Sequence, residues 1–129
     1  MTMTIRKFLG LLWLVPLLAT GCSTTVTNLT PRQLSRNPTG LYKFEVAMDT
    51  NQRSLQKDTV KAFVVVGTEM FPMMPTMLLR NRWETLVPIP ADQEYINYRF
   101  KFDYEYLVIP QRKSSSKLSP PYQLHISGQ

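Results

Sequence analysis

Sulfur is the most concentrated chemistry in this chain. Met70, Met73, Met74 and Met77 fall within eight residues, interrupted by Pro72 and Pro75. A thioether is a soft donor that stays unprotonated at any pH, so spacings of three and four residues would let these sulfurs converge on Cu(I) in an oxidising compartment. Methionine is also a flexible gap filler, and no cysteine or histidine lies nearby in sequence to reinforce a metal site. The segment therefore reads first as packing over the open end of a fold or onto a partner. The one histidine, His125, falls between Leu124 and Ile126, and a catalytic imidazole or a zinc centre would need further partners. Asp103 and Glu105 share one side of a strand about 7 Å apart, a spacing that suits paired-carboxylate chemistry. With Lys101 beside them, a solvated charge ladder is the simpler reading. Gly-rich phosphate loops, nucleophile elbows and metal-ligand spacings do not occur. The expectation is a protein that is not an enzyme and has no resident cofactor.

Two further groups of side chains are suited to contact rather than catalysis. Arg80-Asn81-Arg82-Trp83-Glu84 sets an indole beside two guanidinium groups, a combination that stacks on a sugar or anchors a protein partner. Trp83 is also in phase with Val87 and Ile89, which assigns it to a core. Arg112, Lys113 and Lys117 lie in a stretch, 111–117, that carries no acid. At the end of a fold, these cations would meet an anionic polymer such as lipopolysaccharide, teichoic acid or peptidoglycan. A solvated loop is the default for such a stretch.

The N-terminus carries chemistry of another kind. Ile5-Arg6-Lys7 precedes an apolar run, Phe8 to Leu18, that contains Pro16. It is too short and too broken to span a bilayer as a helix. Leu18-Ala19-Thr20-Gly21-Cys22 follows, ending in the only cysteine of the 129 residues. This leader and lipobox resemble those of bacterial lipoprotein precursors, although Ala19 stands where leucine is commoner. The resemblance implies cleavage between Gly21 and Cys22, a diacylglycerol on the Cys22 sulfur, and often a third acyl chain on the new amino group. Two or three acyl chains exceed what stable anchoring requires. The expected location is the cell envelope, tethered to a membrane, with the outer membrane favoured in a cell that has two because Ser23 follows the cysteine.

Loss of the leader would leave 108 residues with thirteen basic and nine acidic side chains. That is one domain, large enough to bury about two thirds of its surface and fold without disulfides. A mildly basic exported domain suits anionic headgroups or acidic polysaccharide, and export makes nucleic acid a poor partner.

The elements that must position these residues read as strands. The polar stretch 22–40 reads as a lipidated tether with an irregular first strand. Tyr42, Phe44, Val46 and Met48 then alternate with polar neighbours. A loop is expected over Thr50 to Asp58, and Val60 to Val66 reads as a strand buried on both faces. The prolines exclude a helix over 69–77, with a short strand expected near Thr76 to Arg80. Trp83 to Ile89 alternates, and Ile96 to Tyr106 does so without a break. Pro110 to Pro121 reads as a loop, and Tyr122, Leu124 and Ile126 as the last strand.

Six or seven such strands point to an all-β protein, an immunoglobulin-like antiparallel β-sandwich after a lipoprotein signal peptide, with a small barrel as the structural alternative. The stretch from Pro88 to Tyr98 resembles the E–F corner of fibronectin-type sandwiches, where a tyrosine bonds back to the chain. The expected organisation is a signal peptide over 1–21, the tether over 22–40 and the sandwich over 41–129. The expected function is a lipid-anchored, non-enzymatic binding or structural module contacting an envelope protein. A glycan-binding module using Trp83, Arg80 and Arg82 is the alternative, followed by a Cu(I)-binding accessory protein.

Overall fold

The computed structural model describes residues 23–128; the leader, Gly21 and Cys22 lie outside them. Ten strands make up the fold: β1 (Thr24–Asn28), β2 (Gln33–Ser35), β3 (Leu41–Thr50), β4 (Leu55–Val66), β5 (Glu69–Pro72), β6 (Met74–Pro75), β7 (Arg82–Pro88), β8 (Tyr95–Val108), β9 (Gln111–Leu118) and β10 (Tyr122–Ser127). One sheet has the order β1-β3-β7-β6. The other runs β2-β10-β8-β4-β5, with β9 also on β8. Neighbours are antiparallel except β2 and β10, which run parallel. This order, with the first strand divided between the two sheets, is that of an immunoglobulin-like sandwich.

Alternation decides which face of each sheet is buried. Tyr42, Phe44, Val46 and Met48 of β3 face Ile96, Tyr98, Phe100, Phe102 and Tyr104 of β8 across the core. The intervening Lys43, Arg99, Lys101 and Asp103 are turned toward solvent. Two edge-to-face aromatic pairs join the sheets: Phe44 with Tyr98 at 4.8 Å and Trp83 with Phe102 at 5.3 Å. Such pairs contribute about 0.5–1.5 kcal/mol each beyond their burial. Phe44 and Tyr98 link β3 to β8, the strand pair that antibody domains tie with a disulfide.

Several segments differ from the reading of the sequence, three of them where a side-chain hydroxyl substitutes for a ladder bond. Over 23–40 the chain forms two short strands where the sequence reads as a tether with one irregular strand. β1 pairs with β3 from Thr24 opposite Thr50, and the buried Thr30 hydroxyl accepts the Glu45 N–H at 3.0 Å and donates to the Glu45 carbonyl at 3.1 Å. Pro31 has no N–H to pair, and the chain leaves β3 there to form β2 against β10. β4 begins at Leu55, inside the expected loop, because a bulge between Gln56 and Lys61 resets its register on β8. The Thr59 hydroxyl spans that bulge, donating to the Gln56 carbonyl at 2.6 Å and accepting the Glu105 N–H at 2.9 Å. Beyond it β4 is buried on one face rather than two: Ala62 and Val64 are inside, and Phe63 and Val65 are half-buried.

The expected loop 110–121 contains β9, which continues the hairpin from β8. Two prolines then interrupt the ladder, and Ser119 repairs it. Its N–H donates to the Phe100 carbonyl at 2.8 Å, and its hydroxyl oxygen accepts the Phe100 N–H at 2.8 Å. The expected strand near Thr76 to Arg80 is instead a turn, with Leu78 and Asn81 at φ of 65° and 61°. The Tyr98 hydroxyl accepts from Asn28 Nδ2 of β1 at 2.8 Å, a bond between the two sheets rather than one back to the backbone of the β7–β8 corner. Tyr95 is exposed and stacks on His125 at 4.6 Å.

Candidate functional site: the end of the sandwich beside Ser23

Three connections meet at the end where the described chain begins. The Ser23 N–H donates to Asn51 Oδ1 at 2.6 Å, placing it on the β3–β4 turn. The Leu107 N–H donates to the Ser54 carbonyl at 2.8 Å, which brings the tip of the β8–β9 hairpin to the same turn. The Met48 N–H donates to the Asn81 carbonyl at 3.0 Å, holding the β6–β7 loop alongside. A cleft of about 600 Å³ opens between the start of β4 and the β6–β7 loop, lined by Met48, Leu55, Val60, Pro75, Arg80 and Trp83 among others.

This end is apolar at its tips and basic around them. Met77, Leu78 and Ile109 are 84%, 102% and 86% exposed, the most exposed large apolar side chains among the described residues. Met77 and Leu78 lie on the β6–β7 loop and Ile109 on the β8–β9 tip, with the exposed Leu79, Leu107 and Val108 beside them. Arg53, Lys57, Arg80, Arg82, Arg112 and Lys113 belong to the same turn, loop, bulge and hairpin, and all are exposed. Of these, Arg112 reaches Glu105 at 3.6 Å.

The methionines divide because the chain changes sheet among them. β5 lies in the six-stranded sheet and β6 in the four-stranded one, and Met73 between them donates its N–H to the Ala62 carbonyl at 2.9 Å. Its side chain is buried in the core, whereas Met70, Met74 and Met77 are exposed. Burial therefore separates Met73 from the three exposed methionines of the candidate Cu(I) set. Among the described residues no three of His, Cys, Asp or Glu are grouped to hold a metal ion.

Trp83 is 9% exposed and packed on Phe102, so its indole is not a flat platform for a sugar, while Arg80 and Arg82 are exposed beside it. Lys117 does not extend freely with Arg112 and Lys113; its Nζ donates to the Thr24 carbonyl and ties β9 to β1 across the two sheets. Asp103 is 3.6 Å from Lys101, and His125 Nε2 is 2.9 Å from Glu94 Oε1.

Titratable groups missed in the sequence lie in two places. On the outer face of the four-stranded sheet, Lys43 Nζ is 2.9 Å from both Glu45 and Glu84. Hydrogen bonds to Glu45 and Glu84 push its pKa up to about 12. Alternation marks Lys43 as outward, but its reach to Glu84, which lies opposite Glu45 and diagonal to Lys43, follows from the β3–β7 register. Inside, burial pushes the phenols of Tyr98 and Tyr104 above the ordinary tyrosine value of 10.0.

No protein-family model and no curated protein matches the chain. Among solved structures it is similar to murine CRIg, with a TM-score of 0.41 and 12% identity over 81% of this chain and 98% of that one.

Proposed function

We propose that this protein is a lipid-anchored lipoprotein of the cell envelope whose immunoglobulin-like sandwich is a non-enzymatic binding or structural module. The observation that carries the reading is the sole cysteine, Cys22, at the end of Leu18-Ala19-Thr20-Gly21, directly before a sandwich whose first strand starts at Thr24. An acylated Cys22 would hold the domain close to the membrane, with one residue between lipid and first strand. The engagement of His125 with Glu94, Asp103 with Lys101 and Glu105 with Arg112 supports a structural rather than a catalytic role for these side chains. A protein partner would meet the end away from the anchor, where a cleft of about 390 Å³ is lined by Phe71, Pro88, Pro90 and Tyr95.

The test compares the native protein with Cys22→Ser by intact mass, membrane fractionation and cross-linked pull-down. Acyl mass on wild type alone, membrane retention that withstands a high-salt wash only when Cys22 is present, and a stoichiometric envelope protein in the pull-down are the expected results. A wild-type protein that carries no lipid and fractionates like the variant refutes the anchor. An acylated protein that captures no partner refutes the protein-contact half of the reading.

A further inference from the structure

Leu78 is fully exposed at a φ of 65°, a conformation in which its Cβ crowds the backbone carbonyl and which glycine adopts without that steric cost. Nothing in the fold offsets that cost, since the side chain buries no surface. Strain kept at an exposed apolar residue is the pattern of a contact made outside the domain. Leu78 also does not stand alone. The three most exposed apolar side chains, Met77, Leu78 and Ile109, come from two connections in different sheets, yet both project from the end that holds Ser23.

We propose that this end lies on the lipid bilayer, with the β6–β7 loop and the β8–β9 tip inserting apolar side chains at the boundary between headgroups and acyl chains. Two observations select a bilayer over a protein as the occupant. The chain preceding Ser23 leaves from this end, so a lipid on Cys22 draws these tips toward the membrane; to that extent the inference rests on the anchor proposed above. The rim also carries more cations than anions: Arg53, Lys57, Arg80 and Lys113 are exposed on the turn, bulge, loop and hairpin that bear the tips, against the exposed Asp49 and Asp58, and basic side chains at this depth are attracted to anionic headgroups. Apolar tips within a basic rim match both layers of a membrane interface. The acyl chains would supply retention, and the two tips would fix the domain's orientation, standing it on end with β5 and the β7–β8 connection held away from the surface.

The test places an environment-sensitive fluorophore on the full acylated protein through Leu78→Cys, Ile109→Cys or Gln93→Cys, with acylation blocking Cys22 from labelling. Each protein is reconstituted in phosphatidylglycerol-containing vesicles that carry a quencher on the acyl chain. Blue-shifted, quenched emission at positions 78 and 109, with water-like emission at 93, is the expected result. Water-like emission at all three positions, or equal quenching at all three, overturns the inference. Intact mass on the same samples reports acylation separately, so a failed orientation and a failed anchor are distinguishable. Unlabelled Cys22→Ser protein provides the second measurement: it is expected to sediment with these vesicles and to lose that binding on adding Leu78→Ser and Ile109→Ser. Circular dichroism establishes that these exposed substitutions leave the fold intact. Binding unchanged by the two substitutions also overturns the inference.

Discussion

A single hydroxyl closes the longest ladder in the molecule. Pro120 and Pro121 separate β9 from β10, and Ser119 supplies the acceptor that the Phe100 N–H would otherwise lack. Ser119 is buried, so water cannot readily replace it. Ser119→Ala is expected to cost about 1–3 kcal/mol, the penalty for a buried donor left unpaired, read as a lower urea midpoint with unchanged slope. Tyr98 carries a different dependence. Burial favours its neutral phenol and raises its pKa above 10.0, and Tyr104 shifts the same way. The unfolded chain then ionises first, so the stability these phenols contribute is complete below about pH 10 and is lost as pH rises through their folded values. Lys43, raised to about 12 by its glutamates, has the same sign. Thermal melts are expected to hold level up to about pH 10 and to fall beyond it. Tyr98→Phe should cost about 1 kcal/mol at neutral pH through loss of the Asn28 bond while flattening the alkaline decline. A variant whose alkaline decline is as steep as wild type would exclude Tyr98 as a contributor.

At the scale of elements, connections rather than strands carry the specific behaviour. The β6–β7 loop holds Leu78 and Asn81 at positive φ, where a leucine carries a steric cost that glycine does not. Leu78→Gly is expected to raise stability by about 1 kcal/mol by removing the strain of a left-handed leucine, and to weaken vesicle binding in the same protein. Calorimetry and sedimentation on one sample separate the two effects. The sheet edges follow the same logic of local devices. β5 and β6 end in Pro72 and Pro75, and β2 is only three residues long; short strands and prolines are features that discourage edge-to-edge pairing.

For the whole molecule, the absence of cysteine after Cys22 leaves packing, with the Asn28–Tyr98 and Lys117–Thr24 hydrogen bonds, to join the sheets. Trp83 and Phe102 do this at the same end as the candidate site, where Trp83 also lines the cleft beneath the apolar loop. Trp83→Ala is expected to cost about 3–5 kcal/mol, a large fraction of the stability of a domain this size. Chemical denaturation of Trp83→Ala beside Trp83→Phe measures it, with the phenylalanine variant retaining most of the contact to Phe102. A cost below about 1 kcal/mol for the alanine variant would remove Trp83 from the inter-sheet core.

Strands β3, β7, β8 and β10, and the residues they bury, were legible in the sequence because side chains alternate across a sheet with a period of two. Local periodicity suffices to say that Phe44, Phe100 and Leu124 face inward, and it placed Trp83 in the core with Val87. It gave one irregular strand where β1 and β2 form, and did not reveal β9 or the start of β4, where polar side chains and prolines obscure the period and hydroxyls of Thr30, Thr59 and Ser119 replace backbone bonds. The lipobox reading rests on Leu18 to Cys22 alone, as linear sequence. Only the tertiary structure decided that Met73 leaves its three neighbours for the core, that Lys117 reaches Thr24 across 93 positions, and that Met77, Leu78 and Ile109 share one end with Ser23. Those outcomes depend on which strands pair and where the chain changes sheet, and pairing between distant segments is set by the packing of the whole core rather than by any local pattern.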